Sequence, residues 1–553
     1  MEAPCRALLA TGVFFWLSGC AVGPDYRPHL VAMPTEFRTS PLTPAVAGPQ
    51  PTADLVRWWQ VLHDPTLDAL IERAVASNPD VEIMLTRVHE ARTQEIVVLG
   101  AMLPDLRGSG TVATGSGLDL SIGRVSEALR SGDQLANGVH LFRIGGFDTG
   151  WELDLFGKYQ RSLEAARDDT SAQMELRSAV LITVIADVAR EYFEIRGRQM
   201  QGDIVRRNVA MAQRAVDLLE ARASGHEQAK SSEPSGHDEE SKSSSTDHEQ
   251  PKSSESAGHD DRSTAADRRL SKELDLASAK RELATWQAKL PELDAAIFAA
   301  QSRLAVLLGT YSADVTEAAR GPTKMPRLPE RLRPGVPVDL LRRRPDIRAV
   351  ERELAEATAR IGVATADLFP SVTLLAAVGG QAAEQLAGAP PIPLHGPVWS
   401  VGPATYWPLL DFGRLDALIN IREMRAHGEL VKYKKTVIAA VEEVERAISQ
   451  YRLDLRRSRR LGIALQESRR EVDLATELFE RKQTEGHVML SARHKYYTLA
   501  EETAIAAEVA VFHYVGVFKA LGGGWELYNE LPPIPAPQPA IVAGVRRLTN
   551  GWH

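Results

Sequence analysis

The chain has almost no cysteine. Cys5 and Cys20 are the only two in 553 residues, and both lie near the start, so the remainder can form no disulfide in any compartment. Long hydrophobic runs are missing as well. After the first twenty positions no apolar stretch reaches the roughly eighteen residues of a membrane helix. That absence leaves a β-barrel route open, because barrel strands give a far weaker hydropathy signal. Positive charge is also short: the formal net charge is −8, which argues against a nucleic-acid-binding surface. Catalytic signatures are absent too. No glycine loop precedes a Lys-Ser/Thr pair and no Gly-x-Ser-x-Gly elbow occurs. His487 and His494 are seven apart, the wrong spacing for two metal ligands on one helical turn. An enzyme is the class these residues favour least.

What is present begins with an address. Residues 1–19 combine a short charged start, an apolar core from Ala7 to Leu17 and small residues, the pattern of a secretion signal too short to span a membrane. The ending Leu17-Ser18-Gly19-Cys20 resembles a bacterial lipobox. Cleavage before Cys20 and lipid on its thiol are expected. Several acyl chains together would anchor stably. Ala21, where an Asp would suggest inner-membrane retention, fits the outer membrane.

The rest of the chain is a tandem duplication. Asn78-Pro79-Asp80 opens a helical stretch ending at Leu103-Pro104, and Arg344-Pro345-Asp346 opens one ending at Phe369-Pro370. Asp80 to Pro104 and Asp346 to Pro370 are both intervals of 24 residues. Trp151 and Phe156-Gly157 match Trp407 and Phe412-Gly413 at an offset of 256. The same offset relates Leu181, Ile185, Val188, Tyr192 and Ile195 to Val437, Val441, Val444, Ile448 and Tyr451. Their 4-3-4-3 steps form a heptad seam, so these helices should pack side by side as in a coiled coil. The first long helix is expected from Lys158 to Arg222, with no proline and only Gly197 and Gly202 as glycines. At ~1.5 Å per residue it is a rod of roughly 100 Å.

Between the helices lie strand candidates, at about 105–156 and 371–412. Phe147, Thr149, Trp151, Leu153 and Leu155 alternate with Asp148, Glu152 and Asp154, the apolar-out, polar-in dyad of a membrane barrel strand. The second half offers Val372, Leu374, Ala376 and Val378, then Trp399, Val401, Thr405, Trp407 and Leu409, with Pro403 and Pro408 suggesting bends or a rim. Trp151, Trp399 and Trp407 suit a membrane interface. Four strands per chain cannot close a barrel, and open edges in lipid cost several kcal/mol per unpaired group. Closure therefore requires other copies: two give about eight strands and a filled interior, three give about twelve and room for a pore.

Several motifs together resemble the TolC-like outer-membrane efflux protein family, in its NodT/OprM-like lipoprotein branch. They are Cys20-Ala21-Val22-Gly23-Pro24-Asp25-Tyr26, Trp58-Trp59 with Asp64-Pro65, and Asp154-Leu155-Phe156-Gly157. In the second half they are Arg343-Arg344-Pro345-Asp346-Ile347, Ala366-Asp367-Leu368-Phe369-Pro370 and Leu410-Asp411-Phe412-Gly413. The resemblance implies an α+β fold. A homotrimeric twelve-strand outer-membrane β-barrel would continue into a twelve-helix periplasmic α-barrel, each chain giving four strands and long coiled-coil helices. It implies a passive duct exporting drugs or other toxic small molecules, working with a periplasmic adaptor (a membrane fusion protein) and an inner-membrane transporter. No cofactor beyond the lipid on Cys20 is expected. Export of metal ions or proteins through the same duct, and a coiled-coil lipoprotein that tethers the envelope, stay open as alternatives. The implied segments are a signal at 1–19, an anchor and equatorial segment at 20–60, repeats at 61–309 and 310–525, and a proline-rich tail at 526–553.

The tips of the helical hairpins should lie after the long helices, at Arg222-Ala223-Ser224-Gly225 and at Arg481-Lys482-Gln483-Thr484-Glu485-Gly486, where glycine suits a left-handed turn. The family places an Asp on the returning helix, which fits Asp275. With Glu485 it could ring a narrow mouth and gate it or select cations; a solvated helix-end charge is the plainer reading. The first tip also holds an insertion. His226, His237, His248 and His259 recur every 11 residues, and residues 224–262 carry ten acidic and four basic side chains. Gly225 to Gly309 spans 84 residues and Gly486 to Gly522 spans 36. The excess of 48 sizes the insertion at about 224–271. Its composition predicts disorder. These histidines could bind a divalent metal; a repeat expansion in a tolerant loop tip is the reading favoured here.

Overall fold

A computed structural model describes residues 21–29, 31–38, 55–115, 139–231, 257–318, 325–330, 332, 336–387, 395–481, 483–528 and 530. Two helices open the first half. Asp64 caps α1 (Pro65–Ser77), accepting from the Thr66 and Leu67 amides at 3.0 and 3.3 Å, with proline at the first helical position. Asn78 caps α2 (Pro79–Ala101) in the same way, and its amide nitrogen donates to the Leu307 carbonyl at 2.8 Å.

After β1 (Asp105–Gly115) and β2 (Val139–Leu153) the chain enters α3 (Lys158–Ser231) and returns as α4 (Ala257–Leu307). The second half repeats the order: α5 (Pro345–Ala366), β3 (Ser371–Ala387), β4 (His395–Tyr406), α6 (Arg414–Glu480) and α7 (Gly486–Leu521). Both long helices begin alike. Asp154 accepts from the Tyr159 and Gln160 amides, and Asp411 accepts from those of Gly413 and Leu415. Gly157 and Gly413 supply the left-handed turns between strand and helix, at φ +74° and +82°.

The helices pair as hairpins, α4 along α3 and α7 along α6. Helix α7 also packs on α3 and so joins the two hairpins, while α5 is held between α3 and α6. Both heptad seams meet in one core, with Val441 half-buried at its edge. Trp58 stacks on Phe518 there with ring centres 5.3 Å apart, and meets Trp59 and Tyr514 edge-on. Arg344 takes the place of Asn78 before α5. It caps nothing; its buried guanidinium instead bonds Asp346, Glu443 and the Ala520 carbonyl. Helix α7 is long and apolar enough to cross a membrane by composition, yet it serves as a mostly buried core helix.

The strands form one antiparallel sheet in the order β1-β2-β3-β4. Its register produces the expected dyad. Phe147, Val378 and Trp399 lie side by side on one face, as do Thr149, Ala376 and Val401. Asp148, Ala377 and Ser400 lie on the other. A row of glycines crosses the sheet, Gly110 beside Gly145 beside Gly380, with Gly146 opposite Gly379. A Cβ on Gly146 would sit 2.4 Å from the Val378 carbonyl oxygen, and one on Gly379 2.6 Å from that of Gly145. The strands approach there as only glycine permits.

Several expectations are corrected. Strand β2 lies within the expected 105–156 but ends at Leu153, short of Leu155, and β4 ends at Tyr406, so Trp407 and Leu409 lie beyond it. Pro403 sits within β4, opposite Leu374. The segment Arg222–Gly225 is no turn: α3 runs through it to Ser231, and α4 starts at Ala257. The flanks of the 224–271 insertion are therefore helical rather than disordered. Ala, Glu, Gln, Lys and Arg there extend helices already nucleated by packing. His226 and His259 fall on these flanks, whereas His237 and His248 lie outside the described residues.

Candidate functional site

The turn of the second hairpin brings together residues from four helices. Helix α6 ends at Glu480, Arg481 folds back to pair with Glu477, and α7 begins at Gly486. Gly486 has no left-handed backbone. Glycine is needed for proximity instead: a Cβ there would lie 2.9 Å from Asp275 Oδ2 on α4 and 3.5 Å from Leu219 on α3. Asp275 is half-buried, and burial raises its carboxyl above the ordinary range; His487 opposes that shift and Glu485 reinforces it. His487 Nδ1 lies 3.1 Å from a Glu485 oxygen, both side chains being exposed. Just inside, Ala215, Val216 and Leu219 of α3, Ala279 of α4, Phe479 of α6 and Met489 and Leu490 of α7 form a separate apolar cluster. This cluster fixes all four helices at one end. Asp275, Arg481, Glu485 and Gly486 are thus neighbours, while Arg222 and Gly225 belong to the continuing helix α3. Among the described residues no group of three His, Cys, Asp or Glu side chains is placed to hold a metal ion.

At the opposite end the sheet meets the helices. Trp151 Nε1 donates to the Met102 carbonyl at the end of α2 at 3.0 Å. Trp407 Nε1 donates to the Leu368 carbonyl just past α5 at 3.1 Å. The two bonds are equivalent in the duplication and tie each strand end to a helix end. Trp399 stands free of this junction, 74% exposed on the apolar face. Phe156 stacks on Phe369 at 4.6 Å. The second-half counterpart, Phe412, is 91% exposed, and Leu103, the counterpart of Phe369, is exposed too.

The N-terminal segment lies in the groove between α3 and α5. Ala21 packs on Gly157, Gly23 on Gly362, and the buried Arg161 guanidinium binds Asp25 at 2.6 Å and the Val22 carbonyl at 3.2 Å. Further along, Tyr26 donates to Glu351 at 3.3 Å. Cys20 lies outside the described residues, but Ala21 beside it sits where sheet and helices join. Sequence reasoning did not foresee this groove, although Gly157 and Gly362 mark it.

Among the described residues, strands β1 and β4 are sheet edges with no partner strand. Helix α5 packs on both α3 and α6, whereas α2 lies along α3 alone of those two. The face of α6 left over carries exposed Ile421, Met424, Val431 and Ile438, and α2 exposes Ile83, Ile96, Val97 and Leu99. Placing α2 of a second copy on α6 would repeat the contact that α5 makes with α3, and would bring β1 beside β4.

The profile of the outer membrane efflux proteins matches residues 70–225 and 336–508, together more than half of the chain. Nodulation protein T of Rhizobium leguminosarum bv. trifolii is 27% identical over 465 residues, 83% of this chain and 84% of that protein. The pyoverdine export outer membrane protein OpmQ of Pseudomonas aeruginosa is 25% identical and covers 92% of this chain, over 95% of its own length. The solved outer-membrane channel OprN superposes with a TM-score of 0.72 at 27% identity, over 92% of this chain and 100% of that one.

Proposed function

The chain belongs to the outer membrane efflux protein family and is the outer-membrane channel of an efflux pump, and we propose that small toxic molecules cross it passively from hairpin tips to barrel mouth. Three copies close the ring: β4 of each pairs with β1 of the next, and twelve strands continue into twelve helices. The observation that carries this reading is the four-stranded sheet with two unpartnered edges, apolar on one face, running straight into unpartnered helical faces. An open edge in lipid is too costly to persist.

In this reading Cys20 carries the lipid, and the fit of Ala21 against Gly157 supports it by setting the anchor at the sheet–helix junction, the level of the membrane surface. Trp399, eight residues from Trp407 and so roughly 26 Å along the sheet, faces lipid headgroups toward the far rim, while Trp151 and Trp407 serve the junction by hydrogen bonding as well as by their interfacial rings. The periplasmic adaptor docks around the turn at Arg481–Gly486 and the inner-membrane transporter supplies the energy. Asp275 and Glu485 narrow the entrance as an acidic constriction, in three copies around the axis. OpmQ is named for pyoverdine export, and a cargo of that kind, a small soluble molecule, suits a water-filled duct.

Planar-bilayer recording of the purified trimer tests the reading. Discrete conductance is expected, rising when Gly486→Val wedges Asp275 away from the turn. A protein that never conducts, with or without the substitution, is a tether and not a duct.

A further inference from the structure

Helix α7 faces α3 along a heptad seam of Tyr497, Ala504, Glu508, Val511 and Val515, all buried. One of these is a carboxylate. Glu508 is 2% exposed. Its Oε2 accepts from Gln201 Nε2 of α3 at 2.7 Å, and its Oε1 is buried with no hydrogen-bond partner. The nearest cation, Arg198 Nη2, stands 3.8 Å away, and that guanidinium donates instead to Gln201 Oε1 at 3.2 Å. Glu194 of α3 adds a like charge nearby, itself bound by Arg303 of α4 at 2.8 Å. The charges of α6 that reach α7 go elsewhere on it, Asp454 to His513, Arg457 to Glu502 and Glu471 to Lys495, as do those of α4, Lys289 to Glu501 and Glu282 to His494. Helix α3 has made room for the carboxyl: a Cβ on Gly197 would lie 2.5 Å from Glu508 Cδ. Gly197, a helix-weakening residue in a 74-residue rod, is explained by this contact.

The contact is placed where it can matter. Helix α7 joins the two hairpins directly, since it packs on both α6 and α3, while α5 bridges α3 and α6 from outside either hairpin. Any swing of the second hairpin against the first must shear α7 over α3. Glu508 lies 22 residues beyond Gly486, which puts this seat roughly 33 Å from the turn at ~1.5 Å per residue. A small slip at the seat is therefore a large displacement at the tip.

We propose that Glu508 is a positioning residue for opening of the channel: protonated, it seats α7 against α3 and keeps the hairpins together, and ionised, it loosens that seat and frees the second hairpin to move. The inference rests on the reading of the chain as a duct whose hairpin tips move. A neutral carboxylic acid fills the pocket with its one bond to Gln201, whereas a carboxylate leaves Oε1 charged, buried and unsatisfied. Burial accordingly raises Glu508 to about 7, with Arg198 pulling weakly the other way. The sign follows. A carboxyl whose value is raised in the packed state stabilises packing in full below its ordinary range, and loses that contribution as pH rises through about 7. Between its ordinary value and about 7 the packed-to-loosened ratio falls up to about tenfold per pH unit, and above about 7 it levels off.

The test uses the full-length trimer in nanodiscs and in planar bilayers, from about pH 5.5 to about pH 8.5. Amide exchange, corrected for its intrinsic pH dependence so that it reports opening, is followed at 193–208 and 497–515, and open probability is recorded in parallel. In the wild type both should rise about tenfold or more across this range. Glu508→Gln keeps the shape and the bond to Gln201 and should flatten both profiles near the low-pH level. Gln201→Leu, which removes the carboxylate's one direct donor, should move the wild-type midpoint upward. Identical pH profiles for wild type and Glu508→Gln would overturn the proposal. If the wild type never conducts, the duct reading fails while the exchange measurement still decides whether Glu508 controls the seat.

Discussion

The unpartnered stripe on α6 can be turned into a test of how copies meet. The duplication relates α6 to α3 by 256 residues and α5 to α2 by 266. Within the chain, Asp168 and Glu175 of α3 pair with Arg352 and Arg348 of α5. The corresponding α6 positions are Met424 and Val431, and the corresponding α2 positions are Thr86 and Glu82. Met424 and Val431 are 66% and 53% exposed in the single chain. The stripe has exchanged an ionic contact for an apolar one at the place where a second copy must sit. Fully burying such a side chain contributes about 1.5–3 kcal/mol. The exposed share of these two is then worth roughly 2–4 kcal/mol per contact, and roughly 6–12 kcal/mol around a ring of three.

Met424→Asp with Val431→Glu removes that contribution and sets carboxylates against Glu82 of the neighbour. The expected result is a folded monomer in place of the trimer, by light scattering after size exclusion in detergent. Adding Glu82→Arg and Thr86→Arg rebuilds on the new interface the pairs that Arg348 and Arg352 make inside the chain, and should restore part of the trimer. A double variant that stays trimeric to the same temperature as the wild type would show that α6 does not face its neighbour through this stripe.

Two other perturbations follow from duplicated or crowded contacts. Trp151→Phe and Trp407→Phe each delete one indole bond to a helix-end carbonyl, at a cost of about 1 kcal/mol; trimer melting should fall by similar amounts for the two, and no change in either would remove them from the junction. Gly146→Val drives a side chain into the Val378 carbonyl and should cost each chain about 1–3 kcal/mol, seen as a loss of trimer in isolated outer membranes, whereas Gly402→Val on β4, which has open space at that position, should assemble normally.

Much of this architecture is readable from spacing. Heptad steps from Leu181 and Val437, the alternation from Phe147 and the paired Asp-Pro intervals all report on a neighbour that every residue in the pattern shares, so a single sequence carries them. The tip was half-legible: Gly486 and Asp275 could be picked out, but a left-handed turn was the wrong reason for the glycine, because the close approach of α4 is set by tertiary packing. Arg222–Gly225 was misplaced for a related cause. Glycine and polar residues there look like a turn, yet a helix already held by the pairing of α3 with α4 carries on through them. Glu508 left a trace, a charge on an apolar seam, and Gly197 left another; nothing in the sequence said that the two belong together. The indole bonds of Trp151 and Trp407 were invisible, since the carbonyls they meet have no side-chain signature.

The two open sheet edges of each chain also carry a genetic consequence. Every copy is at once donor and acceptor of a seam, so one faulty edge interrupts the whole circumference and no intact copy can bypass it. When normal and edge-defective chains are made in equal amounts and mix at random, only about one ring in eight contains no defective member. Loss of an edge should therefore behave as a dominant trait in a cell that still carries the normal gene, and loss of the chain itself as a recessive one.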